Sequence, residues 1–267
     1  MPNSGCPKAD GFHWNSGYIL QDLEDTQSMT SASSNSHLLG WVSNDVVRYF
    51  CTKNNASVAV DSKRFRWPAG EYCIYRRGSK CPSGLLSGSV LWDDENSATG
   101  RNKNSHAGVL PAGVYNQDTK IFFCCQTTGS YDDPIELPVA SPFYLIAFTP
   151  QCQEVLNTIH TMEYIRYDTE DDNNHDQKTF PYPYGVAFQE PTIYYCYYKG
   201  ITAFAMAHIN ACVTCEQAFI HCVANKGEAT RDESASEANL QLCHCRLVPQ
   251  RMKACSRANA CRRVEFC

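Results

Sequence analysis

Residues 111–146 read PAGVYNQDTKIFFCCQTTGSYDDPIELPVASPFYLI, and this stretch decides the fold class. Pro111 and Gly113 open it with a turn. Thr119 to Cys125 is an apolar run that ends in two adjacent cysteines. Gly129 to Pro134 is a second turn, and Ile135–Val139 and Phe143–Phe148 supply further strand. Short apolar and aromatic runs between Gly, Pro and Asp clusters mark antiparallel strands. Neighbouring side chains on a strand point to opposite faces, so Cys124 and Cys125 should anchor both faces of one strand. A strand held on both sides is a natural centre for a disulfide-braced domain.

Working outward, the chain is 267 residues long and carries 16 cysteines, an even count that favours pairing over free thiols. Persisting disulfides imply an oxidising compartment. The sequon Asn55-Ala56-Ser57 fits secretion and makes Asn55 the expected glycosylation site. The opening MPNSGCPKADGF has no basic segment followed by an apolar stretch. We therefore expect a secreted, extracellular chain whose leader has been removed. No run of 18 apolar residues is present, so no membrane span is expected. The net charge of −5 argues against nucleic acid as a partner, because phosphate binding needs a basic face.

Towards the N-terminus, residues 1–20 read as an irregular start pinned by Cys6, and the serine-rich residues 21–37 as a loop. Val46, Val47, Tyr49 and Phe50 favour a strand ending near Cys51. Val58–Val60 is a short strand candidate. Pro68-Ala69-Gly70 turns into an aromatic strand at Tyr72–Tyr75, and Val90-Leu91-Trp92 runs into an acidic turn. Towards the C-terminus, Val155, Ile159 and Met162 share a helical face, so Cys152–Met162 is expected to be a helix. In Thr192–Tyr198, Ile193, Tyr195 and Tyr197 would line one strand face, and Tyr194, Cys196 and Tyr198 the other. From Gly200 the period becomes helical.

The expected architecture is mainly β. A disulfide-braced, sandwich-like antiparallel domain over residues 1–200 precedes a small cysteine-rich α-helical module over residues 201–267. The first part holds Cys6, Cys51, Cys73, Cys81, Cys124, Cys125, Cys152 and Cys196. The second holds Cys212, Cys215, Cys222, Cys243, Cys245, Cys255, Cys261 and Cys267. Each half is even, so each is expected to pair internally. Cys124 and Cys125 are each expected to bond elsewhere rather than to one another. The alternative for the second part is a four-thiolate zinc site built from Cys212, Cys215, Cys243 and Cys245.

The residues of the first part resemble one family. Cys6-Pro7 is followed by Asp10-Gly11-Phe12 and Trp14. Trp67-Pro68, Gly70 and Tyr72-Cys73-Ile74 come next, then Cys81-Pro82, Gly88 and Trp92-Asp93-Asp94-Glu95-Asn96. The strongest block is Pro111, Gly113-Val114-Tyr115 and Asp118-Thr119-Lys120-Ile121 through Cys124-Cys125. Pro134-Ile135, Leu137-Pro138, Pro142-Phe143-Tyr144-Leu145, Cys152-Gln153 and Tyr167-Asp168-Thr169-Glu170 complete it. This pattern resembles the apextrin C-terminal (ApeC) domain family. The resemblance implies innate immunity and recognition of bacterial cell-wall material, peptidoglycan or muramyl dipeptide. It carries no ligand-contact residues with it and does not reach residues 201–267.

Candidate sites follow from residue chemistry. Trp92, Asp93, Asp94, Glu95 and Asn96 set acids and an amide beside an aromatic ring, which suits sugar hydroxyls with Trp92 as a stacking plate, or calcium. The bland alternative is an acidic turn capping its own backbone. Asp168, Glu170, Asp171 and Asp172 belong to an acidic loop expected to be a solvated surface, with a calcium site as the alternative. Tyr194, Tyr195, Tyr197 and Tyr198, with Tyr182 and Tyr184, could form a sugar-binding face or serve as sheet packing. Trp14 and Trp67 are assigned to the core.

No G-x-S-x-G elbow and no H-E-x-x-H helix is present. A glycan-cleaving carboxylate pair from Asp93, Asp94, Glu95, Asp168 and Glu170 is the one enzymatic alternative. The leading expectation is a non-catalytic binder of bacterial cell-wall glycan or muramyl peptide, with no cofactor unless calcium. Residues 201–267 would support homo-oligomerisation. The rival is a structural or storage protein of extracellular matrix, egg fluid or secretion.

Overall fold

The computed structural model describes residues 1–7, 14–23, 28–53, 66–94, 102–169, 174–187 and 190–201. The expected helical module with its eight cysteines, Asn55, Val58–Val60, Glu95, Asn96, Glu170, Asp171 and Asp172 lie outside the described residues.

Thirteen strands follow in order: β1 Trp14–Gln21, β2 Ser31–Ala32, β3 Gly40–Val42, β4 Val46–Lys53, β5 Gly70–Tyr75, β6 Leu86–Trp92, β7 Ser105–Gly108, β8 Gly113–Tyr115, β9 Thr119–Thr128, β10 Phe143–Ala147, β11 Thr158–Arg166, β12 Gln177–Thr179 and β13 Thr192–Gly200. They form a four-stranded sheet ordered β3-β4-β1-β7 and a nine-stranded sheet ordered β12-β6-β9-β5-β10-β13-β11-β2, with β8 paired to β9. Pairing between these strands is antiparallel.

The stretch quoted first does become a centre. β9 pairs along its length with β6 on one side and β5 on the other. Cys124 bonds Cys81 and Cys125 bonds Cys73, so the adjacent cysteines do reach separate partners. Cys6–Cys51 and Cys152–Cys196 complete the set, and all eight cysteines of this half pair internally. Each bridge closes about 43–52 residues of chain, and contributes roughly 2–4 kcal/mol. Among the described residues no helix is long and apolar enough to cross a membrane. The paired thiols fit an extracellular setting.

Two clusters hold the sheets. Ile19, Leu23, Val46 and Phe50 from the small sheet meet Val90, Trp92, Ile121, Phe123, Ile165 and Ile193 from the large one. Phe50 and Tyr75 meet edge to face across that gap, ring centres 5.1 Å apart. The shared core makes this a two-sheet sandwich. On the outer face of the large sheet, Tyr72, Leu145, Cys196 and Tyr198 are covered by the segment around Ile135, Cys152 and Val155. The β5, β10 and β13 part of that sheet is therefore covered on both faces.

Three expectations need correcting. The helix expected at Cys152–Met162 is absent. Residues 152–157 form a bridging segment, with Val155 opposite Ile135, and strand β11 begins at Thr158. Three apolar residues at helical spacing lost to β-branched Thr158, Ile159, Thr161 and Ile165, which take the free edge of β13. Of the strand expected at Ile135–Val139, only the Ile135 bridge forms. The start of the chain is not irregular throughout, because β1 pairs with both β4 and β7. Gly17 disguises that strand. A Cβ there would stand 2.5 Å from the Val109 carbonyl oxygen, so the close approach of the β7 side requires glycine.

Candidate ligand-binding site

Asp93 and Asp94, which follow Trp92 at the end of β6, sit in a buried polar network. Trp92 is fully buried, its ring centre 5.4 Å from that of Tyr167, and cannot serve as a stacking plate. Asp94 is equally buried. It accepts from Gln21 Nε2 at 3.1 Å, Asn104 Nδ2 at 2.9 Å and Thr119 Oγ1 at 2.5 Å. Burial pushes its carboxyl up to about 7, against the pull of those three donors. Asp93 accepts from the His175 backbone N–H at 2.6 Å, and its own N–H donates to Asp176 at 2.8 Å. Burial raises the Asp176 carboxyl as well. Asp93 caps a backbone amide, though one from a distant segment rather than its own turn, and Asp94 is held by side chains instead.

Of the acidic loop, Asp168 is buried and accepts from the Met29 backbone N–H at 2.5 Å. Thr169 donates to Asp176 at 2.7 Å. Among the described residues no three His, Cys, Asp or Glu side chains converge as a metal site.

The tyrosines of β13 alternate as expected, but both faces are covered. Tyr195 joins the inter-sheet core and Tyr198 the outer cluster. Tyr194 is half-buried between Tyr164 and Tyr184. Tyr197 is stacked on His37 at 4.0 Å and tilted against Tyr144 at 5.3 Å. They do not make one sugar-binding face. The Tyr197 edge is tied down further by Glu163, which takes His37 Nδ1 at 2.6 Å and the Tyr144 hydroxyl at 2.6 Å.

The open space lies elsewhere. A cleft of about 2070 Å³ is lined by residues of both sheets. Arg48, Phe50, Tyr75 and Tyr195 contribute from the interior. Trp14, Trp41, Trp67, Phe143 and Tyr144 supply aromatic wall, and Arg66, Arg76, Arg77 and Lys80 supply positive charge. Trp14 and Trp67 are half-buried lining rather than full core members, and Trp41 is 48% exposed. Arg76 rests its guanidinium 3.9 Å from the Phe122 ring centre and donates to Ser87 Oγ at 2.9 Å.

Arg48 is the unusual member. It is 5% exposed. Its guanidinium stands 5.0 Å from the Tyr167 ring centre, 5.3 Å from Trp92 and 5.7 Å from Phe50. Nη1 donates to the Tyr195 hydroxyl at 3.2 Å and Nη2 to Gln21 Oε1. Nε has no partner. The Tyr195 hydroxyl lies 3.2 Å from that of Tyr75 and 3.5 Å from that of Tyr167. Burial pushes the Tyr75 and Tyr167 hydroxyls upward, so both stay protonated. In the sequence, the charge inside VVRYF drew no assignment. Strand alternation was the available signal, because Arg48 shares a face with Val46 and Phe50.

The eight cysteines of the described residues are all in disulfides and offer no free thiolate. No curated protein and no solved structure matches the chain. The family model described as the C-terminal domain of apextrin matches residues 1–198. With the strand order, the four bridges and that match together, the chain belongs to the ApeC family, the C-terminal domain of apextrin.

Proposed function

We propose that this domain recognises bacterial cell-wall material, peptidoglycan or muramyl peptide, outside the cell in innate defence, and does so without transforming it. The ligand is held in the cleft between the two sheets. The observation that carries this reading is the combination lining that cleft: exposed Trp41 with Trp14, Phe143 and Tyr144, and the cations Arg66, Arg76 and Lys80. A wall glycopeptide brings the complementary parts, sugar faces that stack on aromatic rings and carboxylates that meet guanidinium groups. The cleft exceeds the volume of about 300–1,000 Å³ usual for a small-molecule site, which suits an extended chain of sugars and peptide.

Co-sedimentation with insoluble peptidoglycan tests it. The full chain should pellet with the wall material, and Trp41→Ala should weaken that binding about tenfold, the loss of one exposed ring contact. No soluble fragments should be released; their release would turn the reading to a hydrolase. A chain that stays in the supernatant would favour the structural or storage reading.

A further inference from the structure

Arg48 poses a question of charge. A guanidinium stays charged in any fold, and burying it without an anion is expensive. Among the described residues no carboxylate lies within ion-pair distance of it. Three aromatic faces and two neutral acceptors replace the missing anion. Donors outnumber acceptors there. A guanidinium brings five N–H groups and each tyrosine one O–H. The acceptors within reach are Gln21 Oε1 and the tyrosine oxygens themselves. The Nε–H is unclaimed.

The position borders open space, although Nε itself is shut off from solvent until its neighbours give way. Arg48, Tyr75 and Tyr195 line the cleft, while Gln21, Trp92 and Tyr167 stand behind them and do not. An entering group would meet the guanidinium backed by a dry wall. It would be an acceptor without donors of its own, because every nearby hydrogen-bonding group except Gln21 Oε1 already donates. It would carry one negative charge to balance one cation, and it would be planar to take the Nε–Nη edge of the fork.

We propose that Arg48, with the hydroxyls of Tyr75 and Tyr195 beside it, is a carboxylate-binding position at the floor of the cleft. The proposal rests on the reading of this cleft as the ligand site and names the group that reaches deepest. In wall material that group is the lactyl or peptide carboxylate of a muramyl unit. A free small carboxylate has the same chemistry, and the experiment separates the two sources.

The full chain is titrated, at constant ionic strength, with sodium acetate, N-acetylmuramic acid and N-acetylglucosamine, and tryptophan emission is followed. Trp92 lies 5.3 Å from the guanidinium and reports on it. Both carboxylates should give a saturable change and N-acetylglucosamine none. Tighter binding of N-acetylmuramic acid than of acetate assigns the position to a ligand-borne carboxylate; equal binding assigns it to the free anion. Arg48→Met should weaken carboxylate binding at least about tenfold, the loss of a charged hydrogen bond. Tyr75→Phe keeps the ring and should weaken it about threefold; it decides the matter if Arg48→Met does not fold. An equal response to N-acetylglucosamine, no saturable response to either carboxylate, or full affinity in Arg48→Met overturns the proposal. Peptidoglycan co-sedimentation of the same variants separates the two ideas. Wall binding retained by Arg48→Met together with unchanged carboxylate affinity sinks only the Arg48 assignment. Carboxylate binding without wall binding in the wild type sinks only the wall reading.

Discussion

Asp94 and Arg48 are both charged residues inside the same sandwich, and their surroundings treat them in opposite ways. Around Asp94, side chains from β1, β9 and the segment before β7 bring three donors to one carboxylate. Those donors hold the acid, and it is not among the residues that line the cleft. Around Arg48, donors crowd together without an anion, and the cluster borders open space. Gln21 touches both, giving its Nε2 to Asp94 and its Oε1 to Arg48. A buried charge that the protein completes is a fastening. A buried charge left incomplete beside a cleft is a place for something to bind.

The comparison can be broken most forcefully at Asp94. Asp94→Ala strands two buried donors, Gln21 Nε2 and Thr119 Oγ1, while Asn104 Nδ2 keeps the Asn116 and Gln117 carbonyls; it should cost about 3–5 kcal/mol of stability, the penalty for removing one partner of a buried polar group. Denaturant unfolding measures it, and a loss below 1 kcal/mol would mean the network is not the fastening described. Next comes the bridge on the outer face. The double variant Cys152→Ala, Cys196→Ala should lose roughly 2–4 kcal/mol while keeping its affinity for wall material, since neither cysteine lines the cleft. Lost binding with intact fold would place ligand contacts on the wrong face.

A third, graded test uses pH. Asp94 titrates at about 7 when folded, above its ordinary 3.8. In that window the folded state holds more protons than the unfolded state, so stability falls as pH rises. The contribution is full below about 4 and is gone above about 7. Asp94→Asn imitates the protonated acid and removes the titration. The slope of unfolding free energy against pH should therefore flatten in the variant between pH 4 and 7. Identical slopes would show that the carboxyl does not titrate there. Arg48→Met should have the smallest effect on stability, within about 1 kcal/mol of wild type, because it removes a buried charge along with its contacts. A loss as large as that of Asp94→Ala would make Arg48 a fastening too.

Local patterning carried much of the fold. The apolar run Thr119–Cys125 and the alternation in Thr192–Tyr198 announced strands, and both fall inside central ones, Thr119–Thr128 and Thr192–Gly200. The adjacent cysteines announced two-sided anchoring, and both bridges form. Where local and tertiary demands disagreed, the local reading failed. Ile159 at helical spacing from Val155 and Met162 sits on a strand because β13 needed a partner. β1 was hidden by Gly17, whose purpose is visible only once β7 lies against it. The site was less legible. Acids at 93 and 94 looked like surface because their residue type usually is, and Trp92 was drawn with them as their neighbour. Arg48 drew no reading at all, because beyond strand alternation nothing next to it in the chain marks it.

What the amino-acid order settled unaided is chemistry confined to neighbours along the chain: strand-forming runs, turns, the even sulfur count and the family pattern. Pairing of Cys73 with Cys125 across β5 and β9, the meeting of Phe50 with Tyr75, and the enclosure of Asp94 needed the assembled sheets. The reason is distance. The partners of Asp94 lie 10, 25 and 73 residues away. Arg48 reaches Tyr195 over 147. Whether a charge is quenched or left wanting is decided by residues that only three-dimensional folding brings beside it.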